Sequence, residues 1–402
     1  MLFDPTRHEA LEGAPWHADA ARTAVREIVH DIETHRRPGG GWPVHPLDED
    51  GPAVPGGFKS LYLGSAGLWW AMWWLAREGA VELRCDPAGE IDAAVAAYRA
   101  APDTGEAVPS YLLGEAGLHL VQWRLTGAAA AADRLFDVVQ SNIGNPTNES
   151  LWAAPGTMVA AWHLWQATAE ARWRTLFLDN VEQLWRTWLH DPASGHALWT
   201  QDMYGRITQY LGAGHGYAGN VYPLLKGAAL LDAGRRAQLH ERTVALLRAT
   251  ARVEDGAANW PAGLHAARPG ATPWLVQWCH GAPGIVTAVA DLPAGASPEL
   301  DALLVAAGET VWRAGPLTKG YGLCHGTAGN GVALLKLYRR TGDAAWLARA
   351  RAFAMHALVQ RDRMRRQHGL GRYTLWTGDA GLAVCLWQCL DGDDRLAGLD
   401  FV

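Results

Sequence analysis

The chain has 402 residues, of which 49% are hydrophobic and 19% are charged, so it can bury a large core and is neither disordered nor collagen-like. Its formal net charge is −6 and it has no long basic run, which argues against a main role in binding nucleic acid. The N-terminus lacks the features of a signal peptide, and the longest nearly apolar stretch, Leu63 to Ala76, is too short to cross a bilayer. We therefore expect a cytoplasmic protein without a membrane span.

An internal repeat organises the sequence. A pair of small residues spaced as G-x-x-G and followed by an apolar run recurs seven times. The pairs are Gly64/Gly67, Gly114/Gly117, Ala153/Gly156, Gly216/Gly219, Gly281/Gly284, Gly326/Gly329 and Gly378/Gly381. Each run is apolar on most sides, which predicts a buried inner helix. The repeats predict a single domain over residues 1–402, whose helical hairpins form an open solenoid or a closed ring.

The segments around the inner helices carry further signals of local structure. The Pro- and Gly-rich stretch Arg36–Lys59 predicts a loop before the first inner helix. Residues 173–188 carry apolar side chains at helical spacing on one stripe, which predicts a half-exposed outer helix. Ser297 followed by Pro298 predicts the start of another. The basic stretch Arg361–Arg372 precedes the seventh pair, and we expect its first part, up to Arg366, to be a solvated loop.

Residues of distinctive chemistry stand directly before three of the pairs. His215 precedes the fourth pair, Cys279-His280 the fifth and Cys324-His325 the sixth. Because equivalent positions of a repeat lie on the same face of the assembly, these side chains should gather at one end of three successive inner helices.

Two thiolates and an imidazole suit Zn²⁺, and three protein ligands leave the open fourth position typical of a catalytic zinc site. Cys279, Cys324 and His325 are the best such set. The alternatives are buried structural cysteines and a Cys–His protease dyad, for which no oxyanion-type motif is present. The other three cysteines are expected to be core or surface residues: Cys85, Cys385 and Cys389.

Glu115 and Asp379 lie inside the second and seventh pairs. Paired carboxylates at one end of a helical toroid can cleave glycosidic bonds, which gives a second class of function, a glycan-processing enzyme. The simpler interpretation is that these carboxylates stabilise helix N-termini through the helix dipole.

Three motifs carry a family resemblance: WCHGAPG at Trp278–Gly284, GLCHGTAGNG at Gly322–Gly331 and GAGHGYAGN at Gly212–Asn220. With the sevenfold pattern of pairs, they resemble the lanthionine cyclase (LanC) and LanC-like family. The resemblance implies an all-α fold, an α/α toroid of seven inner and seven outer helices. It also implies zinc at the predicted ligands, and addition of a thiol to dehydroalanine or dehydrobutyrine to form a thioether.

Two positions depart from the lanthipeptide cyclases. Leu275 stands where those cyclases have an arginine, and Glu149 where they have an aspartate. Lys319 occupies the position at which eukaryotic-type LanC-like proteins contact glutathione. The resemblance therefore implies glutathione as the thiol and a dehydrated peptide or protein as the acceptor. The alternative is a lanthionine cyclase that uses a cysteine of the same peptide.

The proposed chemistry needs a proton donor and an anion-binding group. After the thiolate attacks the β-carbon, a proton must reach the α-carbon, and His215 is the best acid, followed by His280. Glu149 joins them as a candidate catalytic residue. Lys319 and Arg372 are expected to bind anionic groups of the substrate.

Overall fold

A computed structural model describes residues 1–49, 51, 53–264 and 272–402, and these residues contain fourteen α-helices. In chain order they are α1 (Ala18–Thr34), α2 (Ser65–Arg77), α3 (Pro87–Ala100), α4 (Glu115–Thr126), α5 (Ala129–Ser141), α6 (Ala154–Thr168), α7 (Ala171–Thr187), α8 (Tyr217–Lys226), α9 (Ala233–Thr250), α10 (Ala282–Val289), α11 (Pro298–Ala314), α12 (Thr327–Thr341), α13 (Ala344–His368) and α14 (Asp379–Asp391). The even-numbered helices are the buried inner ones, and the odd-numbered helices lie outside them. Among the described residues, no helix combines the length and the apolar character that a membrane span requires.

Every inner helix begins at one of the predicted pairs, with the first member of the pair as its N-cap residue. The second member must be glycine because the chain passes very close to it. At Gly67, a Cβ atom would collide with the carbonyl oxygen of Leu61 and with the side chain of Leu375 from the seventh repeat. The repeated glycine thus permits both the tight turn before each helix and close packing against the neighbouring repeat.

The inner helices form a closed ring. Each one contacts the next, and α14 returns to contact α2. Backbone hydrogen bonds also join the turns that precede these helices. The N–H of Tyr62 donates to Leu112 O (2.9 Å), that of Trp376 to Tyr62 O (3.1 Å) and that of Cys324 to Trp376 O (2.9 Å). The prediction of an all-α, α/α-toroid fold is confirmed, and of the two arrangements that the repeats allowed, the closed ring is the one formed. The assignment of residues 1–402 to a single domain stays a prediction.

The described residues also contain short antiparallel hairpins in the loops between helices. Their strands are β1 (Leu189–Asp191) with β2 (His196–Leu198), β3 (Gln201–Met203) with β4 (Arg206–Thr208), β5 (Arg252–Glu254) with β6 (Ala257–Asn259), and β7 (Val276–Gln277) with β8 (His280–Gly281).

The C-terminal residues close one end of the ring, at the C-terminal ends of the inner helices. The buried carboxylate of Asp400 lies 2.5 Å from Lys226 Nζ and 3.0 Å from Lys336 Nζ. The Tyr222 hydroxyl donates to the same carboxylate at 2.7 Å. The functional side chains lie at the opposite end, where the inner helices begin.

The basic stretch before the seventh repeat differs from the prediction. Residues 361–366 continue α13 rather than forming a solvated loop. Arg363 Nη2 lies 2.8 Å from Glu9 Oε2, and Arg365 pairs with Asp31. The expectation was wrong because the acidic partners are in the N-terminal part of the chain, more than 300 residues away in sequence.

Candidate functional site

The structure brings together the three residues that the sequence proposes as metal ligands. One ligand atom each from Cys279, Cys324 and His325 lies within 4.8 Å of the other two. Cys279 sits in the turn between β7 and β8, and Cys324 in the turn before α12. The Cys279 N–H donates to the carbonyl oxygen of Cys324 at 3.2 Å, which fixes the two turns to each other.

The donor set fits a zinc ion. Zn–S bonds of about 2.3 Å at tetrahedral angles separate two ligand sulfurs by about 3.8 Å, which a cluster of this size accommodates. Two cysteines and one histidine are ligands that Zn²⁺ prefers, and they leave one coordination position open. The three residues therefore form a candidate metal-binding group of the catalytic kind.

The two thiols of this group influence each other. A hydrogen bond from Cys324 holds the pKa of the Cys279 thiol well below its usual range against the effect of burial, and His325 acts in the same direction. Burial and the charge of Cys279 raise the pKa of Cys324. One sulfur thus favours the thiolate form, whereas the second needs a cation nearby to lose its proton.

A half-buried His215 pairs with a buried Glu149 at the same end of the ring. Nδ1 of His215 lies 2.9 Å from Oε2 of Glu149. The Glu149 side chain is 0% exposed and that of His215 is 23% exposed. Glu149 also accepts hydrogen bonds from the N–H groups of Leu151 (3.0 Å) and Trp152 (2.6 Å), which hold it in place. The pair leaves Nε2 of His215 without a partner among the described residues.

Glu149 determines the charge state of His215. Burial by itself would lower the pKa of His215, but the hydrogen bond and the negative charge of Glu149, with a smaller effect of Cys279, raise it above its ordinary value. His280 has the opposite shift, because burial lowers its pKa and the nearby His215 lowers it further, against a raising effect of Cys279. Of the two histidines, His215 is therefore better suited to carry a proton at neutral pH.

This end of the ring is also lined by aromatic side chains that were not among the residues predicted from the sequence. The Tyr210 ring centroid lies 5.4 Å from that of His280 and 6.5 Å from that of His215. Tyr62 stacks on Trp376, and burial together with the charge of Cys324 raises the pKa of its hydroxyl. The repeat offers a signal for Tyr62, because it occupies the same position before its glycine pair as Cys279 and Cys324 do before theirs.

The two predicted anion-binding residues are placed differently. Lys319 is exposed, and its charge partly opposes the rise in the pKa of Cys324. Arg372 is buried, and its Nε donates to Asp48 Oδ2 at 2.8 Å, while Nη2 also pairs with Asp48. Only Nη1 of Arg372 has no partner among the described residues. Lys319 is thus free to meet a ligand, whereas most of the Arg372 guanidinium holds the loop before the first inner helix.

The two carboxylates behind the glycan-processing alternative are occupied by other contacts. Glu115 pairs with Arg134 of α5 at 2.9 Å. Asp379 is 0% exposed and accepts hydrogen bonds from the Tyr321 hydroxyl (2.8 Å) and Arg361 Nε (3.3 Å). This geometry does not favour their joint action on a glycan.

The fold and the site together define an α/α-toroid protein with a candidate Cys₂His metal-binding group at one end of its ring. A family model described as "Lanthionine synthetase C-like protein" matches residues 59–401. The chain belongs to this family, and the predicted family resemblance is confirmed.

Individual relatives match over shorter segments. The chain is 38% identical over 149 residues to "Glutathione S-transferase LANCL1" of Danio rerio. The aligned segment covers 36% of this chain and 35% of that protein. It is 35% identical over 190 residues to "LanC-like protein GCL1" of Arabidopsis thaliana. This aligned segment covers 45% of this chain and 40% of that protein. These alignments span well under half the length of the curated relatives. A solved structure titled "Nisin cyclase" aligns with a TM-score of 0.65 at 15% identity, over 96% of this chain and 98% of that one, which shows the shared fold.

Proposed function

We propose that this protein is a zinc-dependent enzyme that adds an external thiol, glutathione, to dehydroalanine or dehydrobutyrine residues of a peptide or protein. The observation that carries this proposal is that the Cys279–Cys324–His325 group and the Glu149–His215 pair lie at the same end of the toroid, where the ring centroid of His215 is 5.9 Å from that of His280, the residue after Cys279. The first could hold zinc, and the second could supply a proton. The five free cysteines support a reducing location, the cytoplasm, where glutathione is available.

The zinc ion, when bound by the three ligands, would keep a thiol in the open position as a thiolate at neutral pH. The residues of the chain perform the other tasks. Lys319 places a positive charge beside Cys324, where it can attract a carboxylate of glutathione. Leu275, in contrast, brings no charge to the position at which the lanthipeptide cyclases have an arginine. These two positions support an external thiol.

His215 completes the addition. As the sulfur forms its bond to the β-carbon, the π electrons of the acceptor double bond move towards the α-carbon and the adjacent carbonyl group. The protonated His215 donates its proton to the α-carbon, and solvent then restores the proton to the imidazole. Glu149 positions the ring and, by raising its pKa, favours its protonated form. The proton that the thiol releases on forming the thiolate passes to solvent, which balances the proton that solvent returns to His215, so nothing is lost overall in forming the thioether.

The test uses a peptide that contains dehydroalanine but no cysteine, incubated with glutathione and zinc-loaded protein and followed by mass spectrometry. We expect a glutathione adduct that is lost in Cys324→Ala. It should persist in Cys385→Ala, which removes a buried cysteine from α14, away from the candidate metal group. An absence of adduct, together with ring closure in a peptide that carries its own cysteine, would replace this proposal with a lanthionine cyclase.

A further inference from the structure

We propose that Gln277 is a positioning residue of the metal-binding group, whose side-chain amide holds Cys279 in place for the metal by a hydrogen bond to its sulfur. Nε2 of Gln277 lies 2.9 Å from Sγ of Cys279. This inference rests on the proposed function only in that it requires a metal ion at Cys279, Cys324 and His325.

The surroundings of Gln277 determine which end of its amide faces the sulfur. Gln277 lies in β7 and is 6% exposed, so water has little access to it. Nη2 of Arg7 lies 3.5 Å from the amide oxygen, Oε1. Because a guanidinium group can only donate hydrogen bonds, the oxygen must face Arg7 and the NH₂ group must face Cys279.

Two further contacts keep this arrangement rigid. β7 pairs with β8 through Gln277 and His280, so the Cys279 turn is held from both sides. The Arg7 carbonyl oxygen accepts a hydrogen bond from the N–H of Thr318 (3.0 Å), one residue before Lys319. The N-terminal segment is thus attached to the same chain region that carries the second cysteine ligand.

A hydrogen bond to a ligand sulfur has two measurable effects. It orients the sulfur and stabilises its negative charge, and removal of such a partner typically lowers metal affinity about 10- to 100-fold. It also withdraws electron density from the sulfur, so sulfur-to-metal charge transfer requires more energy. Loss of the donor should therefore move the sulfur-to-cobalt absorption band of a Co²⁺-loaded protein to longer wavelength.

The test compares Gln277→Leu and Gln277→Glu with the wild-type protein. Leucine removes the donor, whereas glutamate keeps the shape and, when ionised, cannot donate. Gln388→Leu is the matched control, because Gln388 is also buried and donates to Arg395 O in the C-terminal region of the chain. Zinc affinity is measured by competition with a chromogenic chelator, and the Co²⁺ spectrum is recorded for each folded protein.

We expect a zinc affinity about 10- to 100-fold lower in both Gln277 variants, a charge-transfer band at longer wavelength in Gln277→Leu, and wild-type behaviour in Gln388→Leu. Wild-type affinity and an unshifted band in the Gln277 variants, or an equal loss in the control, would overturn the inference. A wild-type protein that binds zinc but adds no thiol would disprove the proposed reaction alone. A wild-type protein that binds no zinc would disprove both.

Discussion

Substitution of Glu149 by glutamine tests whether this carboxylate controls His215. The Glu149 side chain is fully buried, and it accepts hydrogen bonds from two backbone N–H groups besides its contact with the His215 ring. Glutamine fills the same space but has one oxygen instead of two. One buried N–H group therefore faces an NH₂ group, which costs about 1–3 kcal/mol of folding stability.

The larger effect concerns proton transfer. Without the charge of Glu149, burial is the dominant influence, and the pKa of His215 falls from above its ordinary value to below it. Each unit of decrease lowers the protonated fraction about tenfold at a pH above the pKa. We expect a lower rate at neutral pH in Glu149→Gln, with the roughly 10²- to 10⁴-fold loss that removal of a general acid causes as the upper limit.

The pH dependence gives the direction of the effect. The pKa of His215 is raised in the folded protein, so protonation of His215 contributes to the stability of the wild type. This contribution is complete below the pKa of the unfolded chain, about 6.5, and it disappears as the pH rises through the pKa of the folded protein. The part of the stability that Glu149 contributes through His215 should therefore be largest in mildly acidic solution. In the rate profile, the alkaline limb of Glu149→Gln should lie at lower pH than that of the wild type.

The assay records the rate of glutathione addition against pH for the wild type, Glu149→Gln and Glu115→Gln. Glu115→Gln is the control, because it makes the same change at the second glycine pair, where the carboxylate pairs with Arg134. If the alkaline limb of Glu149→Gln stays in place while the rate falls, Glu149 has only a structural role. An equal fall in Glu115→Gln would also show that the effect is not specific to Glu149.

Three further outcomes are expected. Cys279→Ala should lose bound zinc in elemental analysis, whereas Cys389→Ala, in the core of α14, should keep it; full zinc in the first variant would exclude this ligand. Lys319→Ala should raise the KM for glutathione without loss of zinc, and Arg366→Ala, an exposed residue of α13, should leave it unchanged; equal KM values would remove Lys319 from the site. Asp400→Asn leaves two lysines near a neutral side chain and should cost about 3–5 kcal/mol in chemical denaturation. The pKa of Asp400 is lowered because its two lysine partners outweigh burial, so the difference should hold at neutral pH and shrink in strong acid; an unchanged stability would contradict this.

The repeat accounts for most of what the sequence could predict. The seven pairs mark the starts of the inner helices because the close approach of the chain there excludes a side chain, as at Gly67. Equivalent positions of the repeats also bring Cys279 and Cys324 together, although they are 45 positions apart in sequence. A local spacing rule could not have paired them.

The remaining features depend on contacts that no local pattern reveals. Arg372 pairs with Asp48, which is 324 positions away. The sequence therefore does not reveal that the guanidinium group of Arg372 already has a carboxylate partner. Gln277 resembles any other strand residue until the fold brings Arg7 to one end of its amide. Tyr210 reaches the two histidines because its N–H is bound by the buried side chain of Gln201 at the base of the β3–β4 hairpin.

A competition between the two thiol sources tests directly whether the protein adds an external thiol. A peptide that carries both a dehydroalanine and its own cysteine is incubated with zinc-loaded protein and glutathione, and the products are measured by mass spectrometry and by counting free thiols. We predict a glutathione adduct in which the peptide cysteine remains free, and its loss when a chelator removes the zinc. A ring with no adduct and no free thiol would show that the protein is a cyclase, and an adduct that forms equally well without zinc would show that the addition does not depend on zinc.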